Sequence, residues 1–216
     1  MAGYLIYHPK RQIMEHAGKL IHHDSLEGNQ DPYIWQAQFL HSYCHITQMR
    51  PQVGDINFWV AGDTFPHFQQ LFCDLVFVVA SKHYWPEANQ IAPDEPLVDS
   101  AAAYADHYQW AQWQHQFKRR RRFTLKADPA RSFQGLNHDW SLIDIVPGLA
   151  EAGLDLERLR SKLRAGFNSQ PMALSAEQAT ALYQWLDEQA AQRWSGAELA
   201  AIRNPAPASD PSKARC

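Results

Sequence analysis

The sequence predicts an α+β fold: a mostly antiparallel sheet with flanking helices and a C-terminal helical extension. Three observations carry this. Ile56–Val60 and Leu71–Val79 are dense in β-branched and aromatic residues and are separated by a turn. Arg122–Ala127 alternates polar and apolar residues, the period of a half-buried strand. Beyond Pro147 the apolar spacing becomes helical and two capping boxes follow.

In chain order, Tyr4–Tyr7 reads as a first strand, ended by Pro9. Residues 10–23 read as a short helix, with Gly18 and the His22-His23 pair as its weak points. Gly28 to Pro32 is loop-like. Met49-Arg-Pro-Gln-Val-Gly-Asp55 carries turn marks before the strand at Ile56, and Ala61-Gly-Asp-Thr-Phe-Pro66 is a second turn. Leu71–Val79 is apolar on both faces towards its end, which predicts a central strand. Asp99 or Ser100 can cap a helix running to about Phe117. In the strand at 122–127, Phe123 and Leu125 are expected inside and Lys126 outside, with Asp128-Pro129 as its stop. Leu149 to Ala165 places Leu154, Leu156, Leu159 and Leu163 near one stripe, with Arg158, Arg160, Lys162 and Arg164 alongside. Ser175-Ala-Glu-Gln178 and Ser195-Gly-Ala-Glu198 have capping-box spacing. From Asn204 the Pro-rich tail is expected to be disordered. The expected division is an α+β body over 1–147, a helical extension over 148–203 and a tail over 204–216.

Composition bounds the function classes. The chain has 216 residues, 45% of them hydrophobic and 20% charged, with net charge −3. A chain of this length buries roughly 70% of its extended surface and needs no covalent staples. The longest unbroken apolar run is Leu75–Ala80, far short of the roughly 20 residues that span a bilayer, so no membrane partner is expected. The N-terminus has no charged stub followed by a long apolar core, and the cysteines are only Cys44, Cys73 and Cys216. A cytoplasmic location without disulfides is the expectation. The charge is uneven: residues 1–100 carry five Lys/Arg against eleven Asp/Glu, and residues 101–216 carry fifteen against twelve.

Gly54-Asp55 enters a strand, a loop follows, and a hydrophobic strand runs to Val79, with Cys44 shortly before and Tyr84-Trp85 shortly after. Over residues 44–85 this pattern resembles the core of PUA-like domains, in particular the ASCH and EVE branches and domains associated with nucleotide modification. The resemblance implies a small β-barrel with a pocket that receives a nucleobase, often a modified one. Gly54 and Asp55 equally fit a plain tight turn with its cap. Under the resemblance, Phe58, Trp59, Trp85 and Trp140 are candidates for base stacking, a contact that contributes about 1–3 kcal/mol per base. Phe58 and Trp59 point to opposite strand faces, so one pocket can use only one of them. Each of these rings also fits a core position.

The strongest charge signal is Lys118-Arg119-Arg120-Arg121-Arg122 with Lys126: over 117–131 seven basic residues face the single acid Asp128. The guanidinium is always charged and its planar fork matches phosphate, so the run is a candidate phosphate contact. A helix C-terminus favours one or two such charges but does not explain five in a row. His41, Cys44 and His45, with His67 and Cys73, contain zinc-ligating atoms, but their spacing matches no ligand pattern, so no metal is expected. Acid–base candidates are Asp106, His107 and His115, the loop Asn137-His138-Asp139-Trp140, and Lys126 with Asp128.

These readings combine into one expectation. The fold is α+β with a small, mostly antiparallel, barrel-like (PUA-like) sheet. The function is recognition of nucleic acid or a nucleotide through an aromatic pocket (Trp59, Trp85, Trp140) beside Arg119, Arg120, Arg121, Arg122 and Lys126, with no cofactor. The alternative is a hydrolase- or nuclease-type enzyme using Lys126, Asp128, His138 and Asp139 in the same cleft. A third class is an interaction module whose basic run meets an acidic protein partner.

Overall fold

The computed structural model describes residues 1–7, 11–24, 50–63, 68–84, 123–164 and 171–201. The expected helix over 99–117, the loop at 28–32 and the tail at 204–216 lie outside the described residues. The described fold is mixed α and β, with a mostly antiparallel sheet. Its strands are β1 (Gly3–Tyr7), β4 (Ile56–Gly62), β5 (Leu71–Tyr84), β6 (Phe123–Ala127), β7 (Phe133–Leu136), β8 (Met172–Leu174) and β9 (Gln192–Ser195), in the order β8-β1-β4-β5-β7-β9, with β6 also paired to β5. This order is an open path with β8 and β9 at its edges, not a closed barrel. Only β1 and β4 run parallel within it.

The strand at 71–79 is central, as its two-faced apolarity predicts. It continues to Tyr84, with β4 along one edge and β7 and β6 on the other. A register shift between Val79 and Ser81 marks where the strand passes to β6. Along it, Val76 and Val78 enter one core while Leu75, Phe77 and Val79 enter the other. Leu125 of β6 is fully buried and Lys126 half-buried, the alternation expected of that strand.

The expected helix over 10–23 is instead a hairpin, β2 (Arg11–His16) and β3 (Lys19–Asp24), with His16 opposite Lys19 across a two-residue turn. Both turn residues have positive φ, Ala17 at 51° and Gly18 at 74°. That is the backbone of the tight hairpin turn whose twist matches its strands, and Gly18 adopts it at no steric cost. The segment lacks a broad apolar stripe, so nothing holds it helical.

The helix expected over 149–165 is also corrected. It is two helices, α1 (Val146–Glu151) and α2 (Leu156–Arg164). Gly153 at φ 73° turns the chain between them, and Asp155 Oδ1 accepts from Arg158 N at 2.9 Å to start α2. The capping box at Ser175 opens α3 (Ala176–Gln189): Ser175 Oγ accepts from Gln178 N at 3.1 Å, and Gln178 Oε1 accepts from Ser175 N at 3.0 Å. Ser195 and Glu198 repeat the device before α4 (Gly196–Ala201).

Both faces of the sheet are covered. On one, Leu5, Phe58, Val60, Val76 and Phe133 pack on Leu149, Leu159, Ala179, Leu182 and Leu186 of α1–α3. On the other, Ile6, Trp59, Leu75, Phe77 and Leu136 pack with Ile21 of the hairpin, Trp194 and Leu199. The described residues from Val146 onward form α1–α4 and also supply β8 and β9 to the same sheet. Among the described residues no helix is long and apolar enough to cross a membrane.

Candidate ligand-binding groove

After β7 the chain makes a tight loop through Asn137-His138-Asp139-Trp140. Asn137 N donates to Ser141 O at 2.8 Å, and Trp140 N donates to Asn137 O at 3.0 Å. The Asn137 amide nitrogen donates to Ser141 Oγ at 3.0 Å and Leu142 O at 3.1 Å, which fixes the side chain. Asp139 Oδ1 accepts from Ser141 N at 3.0 Å and from Ser141 Oγ at 2.6 Å, and the hydroxyl bond holds the Asp139 carboxyl below its ordinary pKa. Trp140 takes φ 66°, a left-handed backbone rare for a bulky side chain. The loop is therefore rigid and slightly strained.

Beside it, a fully buried Gln134 ties three backbones together. Its Oε1 accepts from His22 N at 3.0 Å, and its Nε2 donates to His22 O at 2.7 Å and Asp74 O at 2.6 Å. His22 in turn meets Trp140 O through Nε2 at 2.9 Å, and Trp194 Nε1 donates to Leu20 O at 2.9 Å. The hairpin is thus fastened to the sheet by side chains that reach across more than a hundred residues of sequence.

Between hairpin, loop and the start of β5 lies a groove of about 500 Å³. Ile13, Phe72 and Leu142 form its apolar walls, and His22, Gln70, Asn137, Ser141 and Asp144 its polar ones. Asp144 Oδ1 accepts from Leu71 N and Val146 N, each at 3.1 Å, which orients the carboxylate at the groove. Among the described residues, the Gln70 amide, Asn137 Oδ1 and Asp144 Oδ2 make no hydrogen bond within the protein. The volume falls within the range of small-ligand sites, with apolar walls and a few convergent polar groups.

No family model, no curated protein and no solved structure matches the chain. The groove must be read from its own chemistry.

Of the acid–base residues that the sequence grouped, Lys126, Asp128, His138 and Asp139 do not line this groove. Lys126 pairs opposite Ser81, whereas Asp144, closing the His138–Asp139 loop segment, bridges to Phe72. Ser81 and Phe72 lie nine residues apart along β5, about 30 Å at the rise of a strand, which separates Lys126 from Asp144. Asp128 Oδ1 accepts from Ala130 N at 2.9 Å and shapes the turn after β6. Trp59 is 4% exposed within the second core, and Phe58 is fully buried in the first, so neither ring offers a face to a ligand. Trp140 is half-buried beside the groove, 6.0 Å from Trp194, and Lys19 Nζ stands 5.2 and 5.0 Å from the two ring centroids.

Cys73 is a buried free thiol whose pKa is pushed up by burial, the behaviour of a core residue. Asp55 is the cap of its turn, accepting from Ala2 N at 2.6 Å and Gln52 N at 2.9 Å. Trp85, Arg119, Arg120, Arg121, Arg122, His41, Cys44, His45, His67, Asp106, His107 and His115 lie outside the described residues. Sequence reasoning found the Asn137–Trp140 loop but missed Gln70, Phe72, Asp144 and Gln134. The one local signal was Gln134, a large polar residue inside the apolar strand Phe-Gln-Gly-Leu.

Proposed function

We propose that this protein recognises a base-bearing ligand, a nucleotide or a nucleic-acid strand, by holding the base in the groove between the hairpin, the start of β5 and the 137–144 segment. The groove's mixed lining carries the reading. A nucleobase has an apolar face and a hydrogen-bonding edge, and Phe72 and Leu142 stand in one wall with Gln70, Asn137 Oδ1 and Asp144 Oδ2 as free edge partners. Half-buried Trp140 adds an aromatic surface nearby. The arginine run at 119–122 supplies the positive charge that the phosphates of such a ligand require. PUA-like kinship, barrel-like curvature of the sheet and a cytoplasmic location belong to the same proposal.

The reading is recognition rather than turnover, because none of the acid–base candidates Lys126, Asp128, His138 and Asp139 lines the groove. The test is titration of the protein with nucleosides, nucleotides and a mixed-sequence single strand, followed by tryptophan fluorescence. Gln70→Ala, at an exposed position, should weaken binding about fivefold with an unchanged melting temperature. Lack of saturable binding of any base-bearing ligand up to millimolar concentration overturns the proposal.

A further inference from the structure

The polar groups of the groove are not interchangeable, because bonds inside the protein decide which of their atoms remain for a ligand. The Asn137 amide nitrogen donates to Leu142 O at 3.1 Å, and a carbonyl oxygen only accepts, so the amide cannot be turned over. Its second hydrogen goes to Ser141 Oγ at 3.0 Å. What Asn137 offers the groove is therefore Oδ1, an acceptor. The Ser141 hydroxyl gives its only hydrogen to Asp139 Oδ1 at 2.6 Å, so it too can only accept from a ligand. Asp144 takes Leu71 N and Val146 N on Oδ1 and keeps Oδ2, again an acceptor. The 137–144 side chains that give the groove its polarity thus present acceptors alone.

Backbone pairing sets these acceptors along one wall. Leu136 bridges Leu142 and Phe72 bridges Asp144, so the chain between the two bridges is extended. Leu142 and Asp144 lie two residues apart along it, about 7 Å at the rise of a strand, and both line the groove. Asn137 follows Leu136 and is bonded to the Leu142 end of this span. Phe72 stands directly across from Asp144, where cross-strand Cβ atoms are about 5 Å apart, so ring and carboxylate are neighbours in the lining. Gln70 precedes Phe72 by two residues at an exposed position, and its amide can donate as well as accept. Among the described residues no lysine or arginine lines the groove, so the donors these acceptors need must come from the ligand.

We infer that the groove, read as a base site, selects guanine, and the selectivity rests on that reading. Guanine's pairing edge carries N1–H and the 2-amino group side by side, two donors for Asp144 Oδ2 and Asn137 Oδ1. Its O6, next along the edge, takes a hydrogen from the Gln70 amide, and its bicyclic face lies against Phe72 and Leu142. The other bases set a lone pair against an acceptor: adenine at N1, cytosine at N3, and uracil at O2 and O4, which flank its single N–H. Two acceptors face to face leave both unsatisfied, which costs more than a bond merely missed. A guanidinium ion shares guanine's donor pair. The Ile13, Phe72 and Leu142 walls of a groove of about 500 Å³ suit a flat bicyclic ring rather than so small a cation.

The experiment is calorimetric titration of the full chain with guanosine, inosine and adenosine monophosphates, which carry the same phosphate. Inosine differs from guanosine only in lacking the 2-amino group. Guanosine monophosphate should bind about tenfold tighter than inosine monophosphate, and at least about tenfold tighter than adenosine monophosphate. Asp144→Asn keeps the Oδ1 that Leu71 N and Val146 N need and turns the remaining acceptor into a donor. It should lower guanosine monophosphate affinity about tenfold and bring adenosine monophosphate level with it. Loss of folding cannot produce such a change of preference. Gln70→Glu, at an exposed position, should narrow the guanosine preference about fivefold with an unchanged melting temperature. A strand with one guanine among thymines, set against thymines alone, separates the sources of the base. Guanine-dependent binding tighter than that of the monophosphate assigns it to a strand, and binding no tighter assigns it to a free nucleotide. Equal affinity for the three monophosphates, or a preference for adenosine, overturns guanine selection and leaves the base site standing. Methylguanidinium that competes as well as guanosine monophosphate also overturns it. Binding of no monophosphate and no strand overturns both.

Discussion

Gln134 grips His22 by both of its backbone groups, Oε1 accepting from His22 N at 3.0 Å and Nε2 donating to His22 O at 2.7 Å. One side chain thus replaces the strand neighbour that the hairpin lacks at this position, and the groove wall depends on it.

Replacing Gln134 with Leu should therefore cost more than a packing change. It strands the N–H and carbonyl of His22 and removes a donor from Asp74 O, all in buried surroundings. A loss of about 2–4 kcal/mol is expected, measured by urea unfolding. Hydrogen exchange at residues 19–24 should accelerate even under conditions where the rest stays folded. A loss below about 1 kcal/mol with protected hairpin amides would contradict the role given to this amide.

The hairpin turn offers a gain. Ala17 sits at φ 51°, a backbone that costs an L-residue with no local hydrogen bond about 1–2 kcal/mol. Ala17→Asn creates the Asn-Gly pair favoured by such turns. Thermal unfolding should show stabilisation by about 0.5–1 kcal/mol. An unchanged or lowered midpoint would mean that the turn departs from this geometry.

Asn57 is fully buried, and its amide finds no hydrogen-bond partner among the described residues. The similarly sized Asn57→Leu should raise stability by about 1–3 kcal/mol, because it removes an unpaid desolvation. Chemical denaturation of the two proteins decides it, and destabilisation would show that the amide is satisfied in solution.

Lys19 stands over both Trp140 and Trp194, at 5.2 and 5.0 Å. Lys19→Gln should cost about 0.5–1 kcal/mol and alter tryptophan emission, since the cation leaves two indole faces at once. A variant with wild-type emission and stability would remove the ammonium from this contact.

Ser141 sets the acidity of Asp139. Its hydroxyl and then its N–H hold the carboxyl below the ordinary value. Because the folded pKa is depressed, the ionised form favours folding above the unfolded pKa, and that advantage is lost as pH falls through the folded value. Ser141→Ala should move the Asp139 midpoint upward in a carboxyl NMR titration. The wild-type midpoint persisting in the variant would assign the shift elsewhere.

What the sequence determined by itself was local. Strands at 56–60 and 71–79, the alternation at Leu125 and Lys126, and the caps at Ser175 and Ser195 are written in runs of four to nine residues, where propensity and capping chemistry act over the same few bonds. Tertiary structure decided the rest. β7, β8 and β9 are three or four residues long and exist because a neighbouring strand satisfies their backbone groups, which no local pattern records. Trp59 and Trp140 are the same residue type, yet one is sealed in a core and the other stands half-open beside a groove, since burial is set by what packs from elsewhere in the chain. The groove itself joins residues 13, 22, 70–72 and 137–144, and β5 holds Lys126 away from Asp144 by its length. Proximity between distant segments follows from strand order and register, and these are settled by the summed burial of both sheet faces rather than by any residue's neighbours in sequence.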